Sequence, residues 1–256
     1  MSKKETHMKS LFRKTIWFNS RKKYNIDFFD IFEPQRIVSE HHRYKSGVFF
    51  SEKCNREIQY ESGIELAFIK QLEQSKSVEF YFEQPVQITY LRGRRKCTYT
   101  PDFAIFLQSK EVVLVEIKTL TDMLDNRVQM KIEGLLSFCQ KKGFGLLFTD
   151  GRYAFNKIVK TKCNRKFEKS LLNVISDKGS IRKTQCREIM KECGATHPEL
   201  LKAIVRHNLR FRSRTFKIEY GNQNEVFRRV FVDKVKYDDI LEERYQDFIR
   251  RTNCIP

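Results

Sequence analysis

Four side chains between Ser62 and Thr119 have the types and order needed to hydrolyse a phosphodiester. Glu65 stands near the start of an apolar helical run, in Ser62-Gly63-Ile64-Glu65-Leu66. Asp102 follows Pro101 at the head of the run Phe103-Ala104-Ile105-Phe106-Leu107. Glu116 and Lys118 close a second apolar run, fourteen and sixteen residues after Asp102. A few carboxylates suit a hard cation such as Mg²⁺, which keeps several waters and completes its shell with substrate phosphate. Mg²⁺ is therefore the expected cofactor, with Mn²⁺ as a substitute. A bound cation lowers the pKa of its water and stabilises charge on the phosphate. Lys118 would orient that water, stabilise negative charge, or accept a proton, and the sequence leaves these three roles open.

The elements needed to gather these residues can be read from spacing. Residues 111–117 are β-rich and of strand length. Strand side chains alternate faces, so Glu116 and Lys118 point the same way. Gln108, Ser109 and Lys110 make a hairpin-length link to the strand opening at Phe103. Proline is tolerated at a strand's first residues, where Pro101 falls. An antiparallel hairpin then brings Asp102 beside Glu116 and Lys118. Glu65 comes from a helix over 61–73, whose Ile64, Leu66, Ala67, Phe68, Ile69 and Leu72 would cover the sheet. Ser62 three residues before Glu65 is also a capping-box pattern, a purely structural use for that carboxylate. The plain alternative for Glu116 and Lys118 is a salt bridge on a half-exposed strand. Pro-Asp, a short hairpin, an apolar run and Glu-x-Lys in series are much rarer than Glu-x-Lys alone, and favour chemistry.

Around this segment the organisation is coarser. Residues 1–60 read as a basic, aromatic-spotted arm of little regular structure, with a strand or hairpin over 47–59 as lead-in. Residues 78–91 read as strands, with Val86, Ile88 and Tyr90 on one face. Arg92, Gly93, Arg94, Arg95 and Lys96 form a basic turn that would touch a DNA backbone, or simply be solvated. Val128, Ile132, Leu135, Leu136 and Phe138 have helical spacing over 125–141, with Gly143 as the stop. The strand 144–148 then suggests a crossover back to the same sheet. The nuclease-like core would span 61–155. Residues 156–256 read as short basic helices: Ile181–Glu192, a turn, then His197–His207. A hairpin of Phe216–Tyr220 with Val226–Val232 follows, a winged-helix pattern.

Charge narrows the partners. The chain carries a formal net charge of +18 over 256 residues. Residues 1–60 hold +6, residues 61–154 only +1, and residues 155–256 hold +11. Basic flanks around a near-neutral centre suit phosphate neutralisation, and DNA is the expected partner. The seven cysteines show no Cys-x-x-Cys pair, and their odd number argues against a secreted disulfide framework. No run of eighteen apolar residues and no signal-peptide core occur, so no membrane span is expected and the cytoplasm is the expected location, bacterial if the resemblance drawn below holds.

The order of Glu65, Asp102, Glu116 and Lys118 resembles that of the PD-(D/E)xK phosphodiesterases. Further pieces narrow the resemblance: the 44–60 lead-in, Gln84-Pro85, the Tyr99–Phe103 step and Phe148-Thr149-Asp150. With the loosely matching tail, they resemble TnsA, the endonuclease subunit of heteromeric cut-and-paste transposases. The resemblance implies an α/β, restriction-endonuclease-like mixed sheet flanked by helices, with a C-terminal winged-helix domain. It implies 5′-strand hydrolysis at transposon ends, beside a TnsB-like DDE transposase and a TnsC-like AAA+ regulator. By match, Glu65, Asp102, Glu116 and Lys118 take the catalytic positions, with the Ile117 carbonyl as an extra metal ligand. A stand-alone restriction-like or repair endonuclease, and a non-catalytic DNA-binding protein, are the competing readings.

Overall fold

In a computed structural model, residues 3–18, 21–24, 32, 46–92 and 94–221 are described. Their chain divides into two compact units. Of the described residues, the first takes those up to Ile117 and then Gly134–Ala154; the second takes Lys118–Glu133 and those from Phe155 to Gly221.

The first unit is built on a four-stranded mixed sheet. Its strands are β3 (Val78–Glu83), β6 (Phe103–Leu107), β7 (Val112–Ile117) and β8 (Gly145–Thr149), in that order. The β3/β6 and β6/β7 pairs are antiparallel, and β7/β8 is parallel. Every residue of β6, β7 and β8 is buried. Strands covered on both faces read as continuous apolar runs rather than as alternation, and these sequences do so. The parallel step requires a crossover, supplied by α3 (Asn126–Lys142). Gly143, at φ +77°, ends that helix as the sequence predicts. Gly134 lets the helix come close to β4 (Ile88–Arg92): a Cβ there would lie 2.8 Å from the Tyr90 Cβ.

One face of the sheet is covered by α2 (Gly63–Gln74) and α1 (Lys3–Phe12). Phe68, Ile69 and Leu72 of α2 and Met8 and Leu11 of α1 share a core with Phe103, Ile105, Val113, Val115 and Ile117. The arm expected over residues 1–60 thus begins with a packed helix. Its hold is partly polar: the buried Glu5 carboxylate accepts from Lys76 N at 3.0 Å and Ser77 Oγ at 3.3 Å. The lead-in is a two-stranded hairpin, β1 (Gly47–Ser51) with β2 (Arg56–Tyr60). Glu73 of α2 fastens it, accepting from Ser51 Oγ at 2.6 Å and from Tyr81 Oη at 2.7 Å.

The segment read as a basic turn is different in the structure. Arg95–Tyr99 forms β5, paired with β4 in a separate two-stranded sheet in which Arg92 faces Arg95. Arg94 alone of the described residues between them is turn, and Gly93 lies outside the described residues.

The second unit contains α4 (Asn156–Lys160), α5 (Arg165–Lys178), β9 (Ser180–Arg182), α6 (Lys183–Glu192), α7 (His197–Arg206), β10 (Leu209–Arg212) and β11 (Lys217–Tyr220). Its three strands run in the order β10-β11-β9, all antiparallel. The two expected helices are present, as is the first strand of the expected hairpin. Lys217–Tyr220 pairs backwards with Leu209–Arg212, and the proposed partner strand 226–232 lies outside the described residues. Asp125 anchors the β10–β11 turn by accepting from Ser213 N at 2.7 Å and Ser213 Oγ at 2.9 Å. Burial pushes the Asp125 carboxyl up, but hydrogen bonds from the Ser213 and Arg127 backbone N–H groups, with the Ser213 hydroxyl, outweigh it. The carboxyl is held below the usual carboxylate range. Among the described residues no helix is long and apolar enough to cross a membrane.

Candidate active site

The β6–β7 hairpin does what the spacing demands. Phe103 faces Val115 and Ala104 faces Leu114, so one step further Asp102 comes opposite Glu116. Residues directly opposite across antiparallel strands share a face. The connection closes through Leu107 N to Glu111 O at 2.9 Å and Lys110 N to Leu107 O at 2.8 Å. Lys110 takes φ +66° in this tight turn.

Asp102 is clamped at both ends. Its carboxylate Oδ2 accepts from Ile117 N at 2.6 Å. Its carbonyl accepts from Gln84 N at 2.9 Å. Gln84 stands at φ +44°, just before Pro85 and just after β3. The sequence reading missed Gln84 as a positioning residue. Its signal was the Gln-Pro pair after an apolar strand, where the chain must turn.

Glu116 is 1 % exposed. It alternates with Val115 and Ile117, which face α2, so it belongs to the opposite face of the sheet, with Leu114 and Val112. A carboxylate buried this deeply is costly unless paired with positive charge or hydrogen-bonded. Lys118 is the first residue after β7 and is half-buried.

Glu65 has a second occupation. Its carboxylate accepts from Glu61 N and from Ser62 Oγ, each at 2.8 Å, while its own N–H donates to Ser62 Oγ at 3.3 Å. Ser62 thus caps the helix through the Glu65 N–H, and the Glu65 carboxylate reaches back to the Ser62 hydroxyl and to the N–H one residue before the cap. Among the described residues no three His, Cys, Asp or Glu side chains are grouped to hold a metal ion. The structure therefore brings Asp102 to Glu116 and to the Ile117 backbone, without gathering Glu65, Asp102 and Glu116 as one ligand set. Two carboxylates with a backbone carbonyl still suit Mg²⁺, whose remaining positions go to water and substrate phosphate.

Arg92, Arg94, Arg95 and Lys96 are exposed on the β4–β5 hairpin. Thr149 and Asp150 are occupied in closing the turn after β8. Thr149 Oγ1 donates to Tyr153 O at 2.8 Å and accepts from Gly151 N at 3.0 Å, and Asp150 Oδ1 accepts from Arg152 N at 2.8 Å.

A hairpin carrying an aspartate and a buried glutamate at its open end, in a mixed sheet flanked by helices, fits a restriction-endonuclease-like fold. Residues 75–150 match the family model described as TnsA-like endonuclease N terminal. The match runs from the end of α2 through β8 and includes Asp102, Glu116 and Lys118, while Glu65 precedes it. No curated protein matches the chain.

Proposed function

We propose that this protein is the DNA endonuclease subunit of a heteromeric, Tn7-type transposase, hydrolysing the 5′ strand at transposon ends. The observation that carries the reading is the fastening of Asp102 across the hairpin to the Ile117 N–H, beside the buried Glu116, within the stretch that matches TnsA-like endonucleases.

Asp102, Glu116 and the Ile117 carbonyl would hold Mg²⁺ or Mn²⁺, with Glu65 joining from the start of α2. Such a cation supplies an activated water and stabilisation of the phosphate charge. The chain's own residues do the positioning. Gln84 and Ile117 fix Asp102 through backbone N–H groups, so the carboxylate needs little reorganisation. Lys118, two residues beyond Glu116, presents positive charge to the scissile phosphate. Arg92, Arg94, Arg95 and Lys96 contact the DNA backbone without reading sequence. The element order α5-β9-α6-α7-β10-β11, with β9 joined to the β10–β11 hairpin, supports a winged-helix class for the second unit. That unit is the dock for a TnsC-like AAA+ regulator, and a TnsB-like DDE transposase is the partner at the ends.

The test is reconstitution on end-labelled transposon DNA with Mg²⁺, with and without the DDE transposase. The expected result is 5′-strand cutting that needs the partner and is lost in Asp102→Asn. Efficient site-specific cutting by this chain alone would replace the reading with a stand-alone endonuclease. No cutting under any combination would overturn it.

A further inference from the structure

In a helix-turn-helix the second helix ordinarily enters the major groove, and a wing hairpin accompanies it. By chain order α7 holds that position here, but its surface is already used. Leu200, Leu201, Ala203, Ile204 and Val205 are buried, which is half of the helix. Its cations are engaged too: Lys202 Nζ donates to Val159 O, and Arg206 pairs with Glu168 at 3.1 Å. At its start, His197 is hydrogen-bonded to Thr121 Oγ1 at 2.9 Å, and the only charge in the first turn is Glu199. The wing is held as well, through Ser213 on Asp125.

The first helix of the pair is the reverse. On α6 only Cys186 is buried. Lys183, Arg187 and Lys191 recur every fourth residue along one stripe, all exposed, and none forms an ion pair among the described residues. The stripe rises about 12 Å, matching three to four base-pair steps of roughly 3.4 Å. Helix α5 adds Arg165, Lys166 and Lys169, also exposed. The two groups belong to one surface region, because Asn164 Nδ2 donates to Cys193 O at 3.2 Å and Cys193 Sγ lies 3.8 Å from Ser170 Oγ. Those contacts bring the start of α5 to the end of α6. The exposed acids on these helices are Asp177, Glu188 and Glu192, outnumbered by the cations.

We propose that the second unit grips the phosphate backbone of duplex DNA through the outer face of α5 and α6, and that α7 reads no bases. The proposal rests on the reading of the chain as a DNA enzyme. It assigns the affinity of the basic C-terminal region to a surface outside the nuclease sheet, and makes that affinity independent of sequence.

The experiment measures equilibrium binding of the full chain to duplex DNA over a salt series, with divalent metal chelated so that no cutting intervenes. The variant is Lys183→Gln, Arg187→Gln and Lys191→Gln together; glutamine keeps helix propensity at exposed positions. Each lost phosphate contact lowers the slope of log affinity against log salt by about 0.9, so the triple variant should lose about 2.7. At 0.1 M salt this corresponds to a loss of up to about 500-fold, equal for transposon-end and unrelated duplexes. A matching loss is expected for Arg165, Lys166 and Lys169 changed to Gln. If a triple variant fails to fold by circular dichroism, the single variants should each lower the slope by about 0.9. An unchanged slope with wild-type affinity overturns the proposal while leaving the nuclease reading intact. Loss confined to one DNA sequence overturns it in favour of base reading. A wild-type chain that binds no DNA removes the nuclease reading as well.

Discussion

Asp102 combines a structural bond with the chemical role proposed above, and two substitutions separate them. Asp102→Ala removes the acceptor of the Ile117 N–H, a 2.6 Å bond to a charged oxygen. Hydrogen bonds to charged groups are worth about 1.5–3 kcal/mol. Asp102 is only half-buried, so water partly replaces it and the lower end applies, about 1.5 kcal/mol. For a chain of this size that lowers the melting temperature by about 3–6 °C. Asp102→Asn retains an amide oxygen for the same N–H, and should melt within about 2 °C of wild type. Both remove a carboxylate from the proposed metal site. A loss of about 4 kcal/mol of charge stabilisation is about a 10³-fold fall in rate. The assay pairs thermal melting with single-turnover cleavage at saturating DNA, in the reconstituted complex. Expected are equal catalytic losses in the two variants and unequal melting shifts. Wild-type cleavage by Asp102→Asn would refute the catalytic assignment, and identical melting of the two variants would refute the structural one.

Other outcomes follow from the same structure. Lys118→Ala should lower the single-turnover rate by about 10²-fold or more while leaving DNA affinity within about twofold, if the affinity is carried by the basic flanks as proposed; a loss confined to affinity would make Lys118 a phosphate contact only. Gly134→Ala should destabilise the chain by about 1–2 kcal/mol in urea unfolding, although alanine is ordinarily the better helix former, because its Cβ would meet Tyr90 Cβ at 2.8 Å and Thr89 O at 3.3 Å. The lowered carboxyl of Asp125 stabilises the fold above the unfolded value near about pH 3.9, and that contribution is lost as pH falls through the still lower folded value. Asp125→Asn should therefore reduce the acid sensitivity of urea unfolding below about pH 4, and an unchanged pH profile would contradict the role given to this carboxylate. Cys186, buried and with its thiol pushed up to about 11, and Cys139, pushed well above the ordinary range by burial, should resist thiol reagents until the chain unfolds.

The hairpin and the crossover were legible because their signals are local and redundant. The Val-Val-Leu-Val run, the short polar link and the Pro-Asp step all specify one arrangement, and β6, β7, α3 and β8 fall within a residue or two of the expected bounds. Helix α1 was illegible because Lys3–Phe12 offers few apolar residues, and its hold on the fold includes Glu5 reaching residues 76 and 77. Strand β5 was hidden by its charge: Arg95 and Lys96 look like a solvated turn, while the alternation that marks the strand lies in Cys97 and Tyr99. A two-residue connection containing glycine was the available hint. The pairing of Lys217–Tyr220 with Leu209–Arg212 was hidden because the turn at 213–216 carries neither glycine nor proline, and Phe216 adopts φ +42° there, unusual for a bulky residue. For Glu65 the sequence offered both a ligand and a cap, and its carboxylate accepts from Glu61 N and Ser62 Oγ at the helix start.

The chain leaves the strand bearing Glu116 directly into the second unit at Lys118, returns at Gly134, and departs again at Phe155. The two units are therefore interleaved in the gene, and no single cut separates them. A fragment ending near residue 155 would keep 118–133 but lose α7 and β10, which pack or bridge to that segment through the turn at 122–124 and Asp125. A fragment starting at 61 would lose Met8 and Leu11 from the core. Swapping the tail between relatives would require exchanging the stretch between β7 and α3 with it. Selection on either unit thus acts on a shared length of coding sequence, which ties the evolution of the strand bearing Glu116 to that of the unit it enters.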